Sequence, residues 1–188
     1  MSDTVLLEVD DEIATLTLNR PDRMNPLTGP IATGLGDRLD DLEERDDVRC
    51  VVLEGKGRAF SAGGDIQGMK DRLEADVTLD ESRAALERGL SDTMRSLVNC
   101  SYPTVAKVDG PAIGAGANLA IACDVLLASE TARIGFSFNQ VGLSIDGGTS
   151  YLLPRIVGVN VAKELVFTGE ICDADRAEEL GLFNHVYA

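Results

Sequence analysis

Three glycine-bearing loops hold the residues of this 188-residue chain that could do chemistry. The first, Phe60-Ser61-Ala62-Gly63-Gly64-Asp65, leads into Ile66-Gln67-Gly68-Met69. The second lies within Gly110–Ala117, GPAIGAGA. Each precedes a helical pattern and can present a backbone N–H where no large side chain blocks approach. Donors of this kind hold a phosphate or a carboxylate. Two that converge stabilise a carbonyl oxygen as it becomes an oxyanion. The third loop, Gly142–Thr149, contains one acid, Asp146. The same glycines could simply permit tight packing, and residue types alone leave both readings open.

The elements that must position these loops follow from hydrophobic patterning. Val5–Val9 and Ile13–Leu18 read as strands joined by a hairpin turn at Asp10-Asp11-Glu12. Asn25 or Thr28 can cap a helix running to about Glu44, with Ile31, Leu35, Leu39 and Leu42 on one face. Cys50–Glu54 is a short apolar strand. Residues 70–80 are polar without periodicity, and a helix is predicted from about Glu81 to Val98. Val105–Val108 reads as a buried strand, Gly110–Gly116 as a turn, Ala117–Cys123 as the start of a helix, and Val125–Ala128 as another strand. Ala132–Phe138 is a short apolar run. Helices are predicted over Ser150–Ile156, Val159–Val166 and Asp173–Leu180, and Leu182–Tyr187 closes the chain as an apolar run. Strands alternating with helices at these spacings predict an α/β layout with parallel pairing.

Bulk composition narrows the function classes. The formal charge is −15, from 32 acidic and 17 basic residues, and it is spread along the chain rather than gathered in a tail. A surface so acidic disfavours nucleic acid, whose phosphates need basic contacts. Its profile is similar to that of proteins from salt-loving organisms. Lys107, Asp109 and Asp124 interrupt the most apolar region, so no membrane span is expected. The acidic N-terminus is not read as a signal peptide. Four scattered Cys suggest free thiols in a reducing, cytoplasmic setting, and a single His with no ligand cluster predicts no metal site. No GxGxxG follows the first strand, no phosphate-binding GxxxxGK[ST] loop occurs, and no Ser-centred elbow supports a hydrolase triad.

Four ordered motifs, RPDRMNPL (20–27), FSAGGDI (60–66), DGPAIGAGANLAIACD (109–124) and GLSIDGGTSYLLPRIVG (142–158), carry a resemblance that runs from the first strands to Val186. The chain resembles the enoyl-CoA hydratase/isomerase, or crotonase, family. The resemblance implies an α/β, crotonase-like (ClpP/crotonase) spiral of repeated ββα units over one domain, 1–188. The usual C-terminal helices would be lacking, either in a fragment or in a naturally short protein. It implies a coenzyme A thioester as substrate, no prosthetic group, and a homo-oligomer, a trimer or a dimer of trimers. The N–H groups of Gly64 and Ala115 would form the oxyanion hole, with Ala115 standing where the family usually has Gly. Ala62, Gly64, Asp65 and Ile66 would form the CoA-binding segment, with the Ala62 carbonyl meeting the pantetheine amide. Leu73, Leu86, Leu90 and Met94 are candidates for an acyl pocket.

The acids depart from the hydratase pattern. Typical hydratases of the family carry one Glu at the position of Asn118 and a second at that of Phe138. Asn118 can only hydrogen-bond, and Phe138 cannot transfer a proton. Asp146 instead matches the acid of isomerase branches, and of dehalogenases that also use a Trp and a His absent near this loop. As a single base it could shift a double bond, provided apolar neighbours such as Phe136, Phe138, Leu143 and Ile145 raise its pKa. A turn or capping contact is the competing role for Asp146. The expectation is an enoyl-CoA isomerase. The alternatives are an enoyl-CoA hydratase with unusual acids, or a catalytically weak acyl-CoA-binding or assembly protein.

Overall fold

A computed structural model describes residues 4–75, 78, 81 and 91–188. β1 (Val5–Asp10) and β2 (Ile13–Leu18) form the antiparallel hairpin. Asp10 pairs with Ile13, so Asp11 and Glu12 make a two-residue turn with φ of 47° and 63°. Both turn residues are left-handed, which matches the twist of the flanking strands. β3 (Cys50–Gly55), β4 (Thr104–Val108), β6 (Val125–Ser129) and β9 (His185–Tyr187) then add in parallel, giving the order β1-β2-β3-β4-β6-β9. A second sheet joins β5 (Pro111–Ile113), β7 (Arg133–Gly135) and β8 (Ile171–Asp173). Single bridges from Ser61 to Ala112 and from Leu27 to Gly64 continue its line.

The helices are α1 (Gly29–Glu43), α2 (Ile66–Glu74), α3 (Asp92–Val98), α4 (Ala115–Ile121), α5 (Thr149–Val157), α6 (Val159–Thr168) and α7 (Ala174–Glu179). One unit recurs. A strand of the large sheet leads to a short strand or bridge of the small sheet, and then to a helix. β3, the Ser61–Gly64 bridges and α2 make one turn of this spiral, and β4, β5 and α4 make the next. The repeat leaves no trace in the sequence, because each unit needs only apolar runs and a sharp corner rather than particular residues. Between the layers the core is packed by Leu16, Leu53, Phe60, Leu119, Phe136 and Phe183, all at most 1% exposed. All seven residues of α4 are buried, so this helix lies at the centre.

Several expectations need correction. Pro111–Ile113 is a strand rather than part of a turn, because its backbone pairs with β7 and, through Ala112, with Ser61. α4 starts at Ala115, two residues early, since Gly114 at φ 55° turns the chain sharply into it. Thr28 caps α1 by accepting a hydrogen bond from the Ile31 N–H at 3.4 Å; Asn25 is used elsewhere. α2 occupies residues 66–74, so the polar stretch from 70 begins as helix. Of the helix expected over 81–98, only the part from 91 and the isolated residue 81 lie among the described residues. Leu86 and Leu90 lie outside them, as does the side chain of Leu73. Pro154 sits inside α5 and leaves the helix one bond short without ending it; Gly158 ends it.

The two chemistry-bearing turns pack with no space to spare. A Cβ on Gly116 would lie 2.5 Å from the Ser61 carbonyl oxygen and 2.8 Å from the Ser61 Cβ. Exposed Gly29, at the start of α1, has nothing within 4 Å of the same position. Gly116→Ala should therefore lower stability by about 1–3 kcal/mol in denaturant unfolding. Gly29→Ala should be neutral or slightly stabilising. Equal stability of the two variants would show that the contact between the turns is not tight.

Candidate active site

The segment 61–64 is laced to segment 111–114 along its length. Ser61 N–H donates to the Pro111 carbonyl and Ile113 N–H donates to the Ser61 carbonyl, both at 3.0 Å. Ala62 N–H donates to Met24 O at 2.8 Å, and Leu27 N–H to Gly63 O at 2.7 Å. The Ser61 hydroxyl donates to Asn25 O at 2.8 Å and accepts from Gly63 N–H at 3.2 Å. Gly63, at φ 93°, presses on the other turn. A Cβ there would meet Ile113 O at 2.5 Å and lie 3.4 Å from the Ala115 nitrogen. The Gly63-Gly64 and Gly114-Ala115 peptides are thus neighbours, although 51 residues separate them in sequence.

Gly64 N–H and Ala115 N–H have no backbone acceptor among the described residues. Ala115 opens α4, where an N–H has no intrahelical partner. Its methyl group fits, since the residue is only 6% exposed. Asp65 caps α2 by accepting from Gly68 N–H at 3.2 Å, and Arg23 approaches the same carboxylate at 3.6 Å. Ile66, the first residue of α2, is 43% exposed, and Ala62 is half-buried beside Gly63.

Asn118 and Asp146 meet, which the sequence did not reveal. Asn118 is fully buried one turn into α4. Its amide nitrogen donates to Asp146 Oδ1 at 2.9 Å and to the Asp146 carbonyl at 3.2 Å. With two acceptors on that side, the amide's orientation is fixed by chemistry. Met94 from α3 completes the wall: a Cβ on Gly147 would lie 3.2 Å from Asn118 Nδ2 and 3.5 Å from Met94 Cγ. Burial raises the Asp146 carboxyl above its ordinary pKa, while donation from Asn118 and from its own backbone N–H pulls the other way. The residue keeps an exposed side, so the group remains reachable.

Of the apolar residues expected around Asp146, Phe136 and Phe138 are buried and Leu143 is not. Leu143 is 47% exposed. With Phe138, Ile145, Val166 and Phe167 it lines a cleft of about 330 Å³ that opens one residue before Asp146. Met94 is the apolar neighbour that sequence reasoning placed only in the acyl pocket. Asp124 is structural: Thr104 N–H and Oγ1 both donate to its Oδ2, at 2.7 and 2.9 Å, tying β4 to the start of β6. Arg155 donates to Tyr151 O at 2.7 Å and stacks on the Tyr151 ring. Burial pushes the Cys123 thiol up and the Cys172 thiol to about 11, which keeps both as neutral packing groups. Among the described residues no cluster of His, Cys, Asp and Glu could hold a metal, and no helix is long and apolar enough to cross a membrane.

Two backbone N–H groups without backbone acceptors among the described residues thus sit on neighbouring turns, and the helix that begins at one of them holds, through Asn118, the carboxyl of a loop residue. The profile of the enoyl-CoA hydratase/isomerase family matches residues 8–188. The chain is 38% identical over 174 residues to a Thermus thermophilus protein provisionally named enoyl-CoA hydratase, covering 93% of this chain and 67% of the other. It is 36% identical over 179 residues to the trans-2-decenoyl-[acyl-carrier-protein] isomerase of Streptococcus mutans, covering 95% and 67%. A Legionella pneumophila crystal structure provisionally named enoyl-CoA hydratase/isomerase (crotonase) superposes with a TM-score of 0.91 at 35% identity, covering 99% of this chain and 70% of that one. The chain belongs to the enoyl-CoA hydratase/isomerase (crotonase) family, has the crotonase-like α/β fold, and spans about two thirds of the length of these relatives. The family acts on CoA thioesters; hydration and isomerisation both occur under its name.

The raised pKa of Asp146 has a consequence for stability. A carboxyl whose pKa is higher in the folded state than in the unfolded chain binds its proton more tightly when folded. Its contribution to stability is complete below the unfolded pKa and is lost as pH rises through the folded pKa. At neutral pH the ionised group is therefore a net cost. Asp146→Asn should melt above wild type at pH 7, with the gap shrinking as the pH is lowered through the acid range. A gap that widens in acid would show that the carboxylate, not the acid, is the favoured form.

Proposed function

We propose that this chain isomerises the double bond of an enoyl-CoA thioester, with Asp146 as the base. The observation that carries this reading is the Asn118–Asp146 pair: Asp146 is an acid held by the helix that begins with the Ala115 N–H. The thioester oxygen lies between the Gly64 and Ala115 N–H groups. The Asp146 carboxylate removes a proton from the α- or γ-carbon, and the C–H electron pair shifts through the chain onto the thioester oxygen. The resulting dienolate is stabilised by the two donors, which act on charge that exists only after proton removal. The protonated Asp146 then returns the proton to the other end of the three-carbon unit, so atoms balance without water. A raised pKa suits both halves of this exchange.

The neighbouring residues agree with it. Phe138, 8% exposed, offers nothing to activate water. The cleft lined by Phe138, Leu143 and Phe167, with Asn139 and Ser144 as its polar members, is mainly apolar and suits an acyl chain. Ala62, Gly64, Asp65 and Ile66 form the edge along which the pantetheine arm runs, with the Ala62 carbonyl accepting its amide N–H. The family resemblance carries with it a homo-oligomer, a trimer or a dimer of trimers. The hydratase reading is favoured by the provisional name of the Thermus relative.

Incubation with 3-enoyl- and 2-enoyl-CoA separates these readings. Double-bond migration without water addition is the expected result, and a 3-hydroxyacyl-CoA product would select hydration. Asp146→Asn should lower turnover by roughly 10²–10⁴-fold while thioester binding persists. Undiminished turnover in that variant would overturn the role of Asp146.

A further inference from the structure

Two buried polar atoms among the described residues have no hydrogen-bond partner: Asn118 Oδ1 and Thr149 Oγ1. Both residues are 0% exposed. An unsatisfied buried donor or acceptor is costly, so such atoms are rare and are normally partnered by an internal water or by function. These two are not scattered. The Asp146 carbonyl accepts from Asn118 Nδ2 at 3.2 Å and from Thr149 N–H at 3.0 Å. The Asn118 amide nitrogen and the Thr149 backbone N–H therefore meet on one carbonyl oxygen, so the two residues that carry the orphaned atoms are neighbours, and that carbonyl belongs to the candidate base.

Their chemistry is complementary. The Asn118 amide nitrogen is engaged by Asp146, which leaves the amide oxygen, an acceptor only, facing away from it. The Thr149 hydroxyl can donate and accept. The two oxygens are not in direct contact, since neither has a partner within hydrogen-bond distance. One water between them would satisfy both, and buried waters take such positions. We infer that Thr149 is a positioning residue for Asp146, acting through a buried water that anchors the Asn118 amide and so holds its N–H against the carboxylate.

The inference deepens the isomerase reading and rests on it for its catalytic meaning, though not for its structural content. The surroundings of Asp146 make the test clean. Asn118 comes from α4, Met94 from α3, and Gly147–Thr149 from its own turn; no charged side chain among the described residues acts on the carboxyl. The Asn118 hydrogen bond is the side-chain influence that lowers its pKa.

The Asp146 carboxyl can be titrated directly by NMR in protein carrying ¹³C-labelled Asp, with no dependence on activity. In Thr149→Val, nearly isosteric but without the hydroxyl, the Asp146 titration should move to higher pH. The acidic limb of the kcat/KM profile should follow it, with kcat falling roughly tenfold and KM little changed. Thr149→Ser, which keeps the hydroxyl, should restore wild-type behaviour. In an Asn118→Ala background Thr149→Val should add nothing, because the link is already cut. Should Thr149→Val fail to fold, Thr149→Ala serves for the same titration. An unchanged Asp146 titration in the folded variant, or an equal shift with and without Asn118, overturns the inference. Full turnover in Asp146→Asn would instead overturn the isomerase reading, and the titration result would stand apart from it.

Discussion

The site depends on a buried polar seam that welds three distant segments into one backbone surface. Asn25, fully buried and left-handed at φ 51°, accepts from Arg20 N–H at 2.8 Å and donates to the carbonyls of Lys56, Ala59 and Phe60 at 3.1, 2.8 and 3.3 Å. Its own carbonyl takes the Ser61 hydroxyl, which in turn accepts from Gly63. Strand-like bonds from Ser61 to Pro111 and Ile113 carry the seam across to the start of α4. A loop that must present free N–H groups cannot be held by those groups. It has to be held by every other polar atom, and this seam does so where loss of one partner would leave several buried groups unsatisfied.

Small residues follow from the same constraint. Hydrogen bonds at 3.0 Å between two turns bring their backbones into contact, so Gly63 and Gly116 have no room for a Cβ. Ala115, at the adjoining position, keeps its methyl group while only 6% exposed. The spiral supplies the rest of the geometry: each unit steps one strand along the large sheet, so the corners of successive units stack, and two of those corners carry Gly64 and Ala115.

The acid is held by a different logic. Asp146 lies in a loop with left-handed Gly147 and Gly148 immediately after it, and α5 begins at the next residue. Such a loop is free to choose its path, and Asn118 chooses it, with two bonds to one residue. A glutamate in place of Asn118 would bring a second carboxyl toward Asp146. The two acids would then share a proton or repel. The amide thus makes sense of the acid beside it: a neutral donor leaves Asp146 with no competing charge.

Much of this was legible in the sequence. The apolar runs of β2, β3, β4 and β6 are short, strongly patterned and bounded by turn residues, so their positions and parallel arrangement could be read directly. The four motifs pointed to the family, because a corner that must admit another backbone accepts only small residues and so leaves a recognisable local pattern. The tertiary structure alone decided the rest. β5 is a three-residue strand whose pairing with β7 and with Ser61 is invisible in local propensity. Asn118 and Asp146 stand 28 residues apart, Met94 is further still, and Thr149 carries a hydroxyl that looks like any helix-start threonine until its burial is known. Local sequence determines where a chain turns and which residues can be buried. Which polar atoms end up facing one another, and which are left without a partner, depends on how the corners stack, and that is a property of the whole fold.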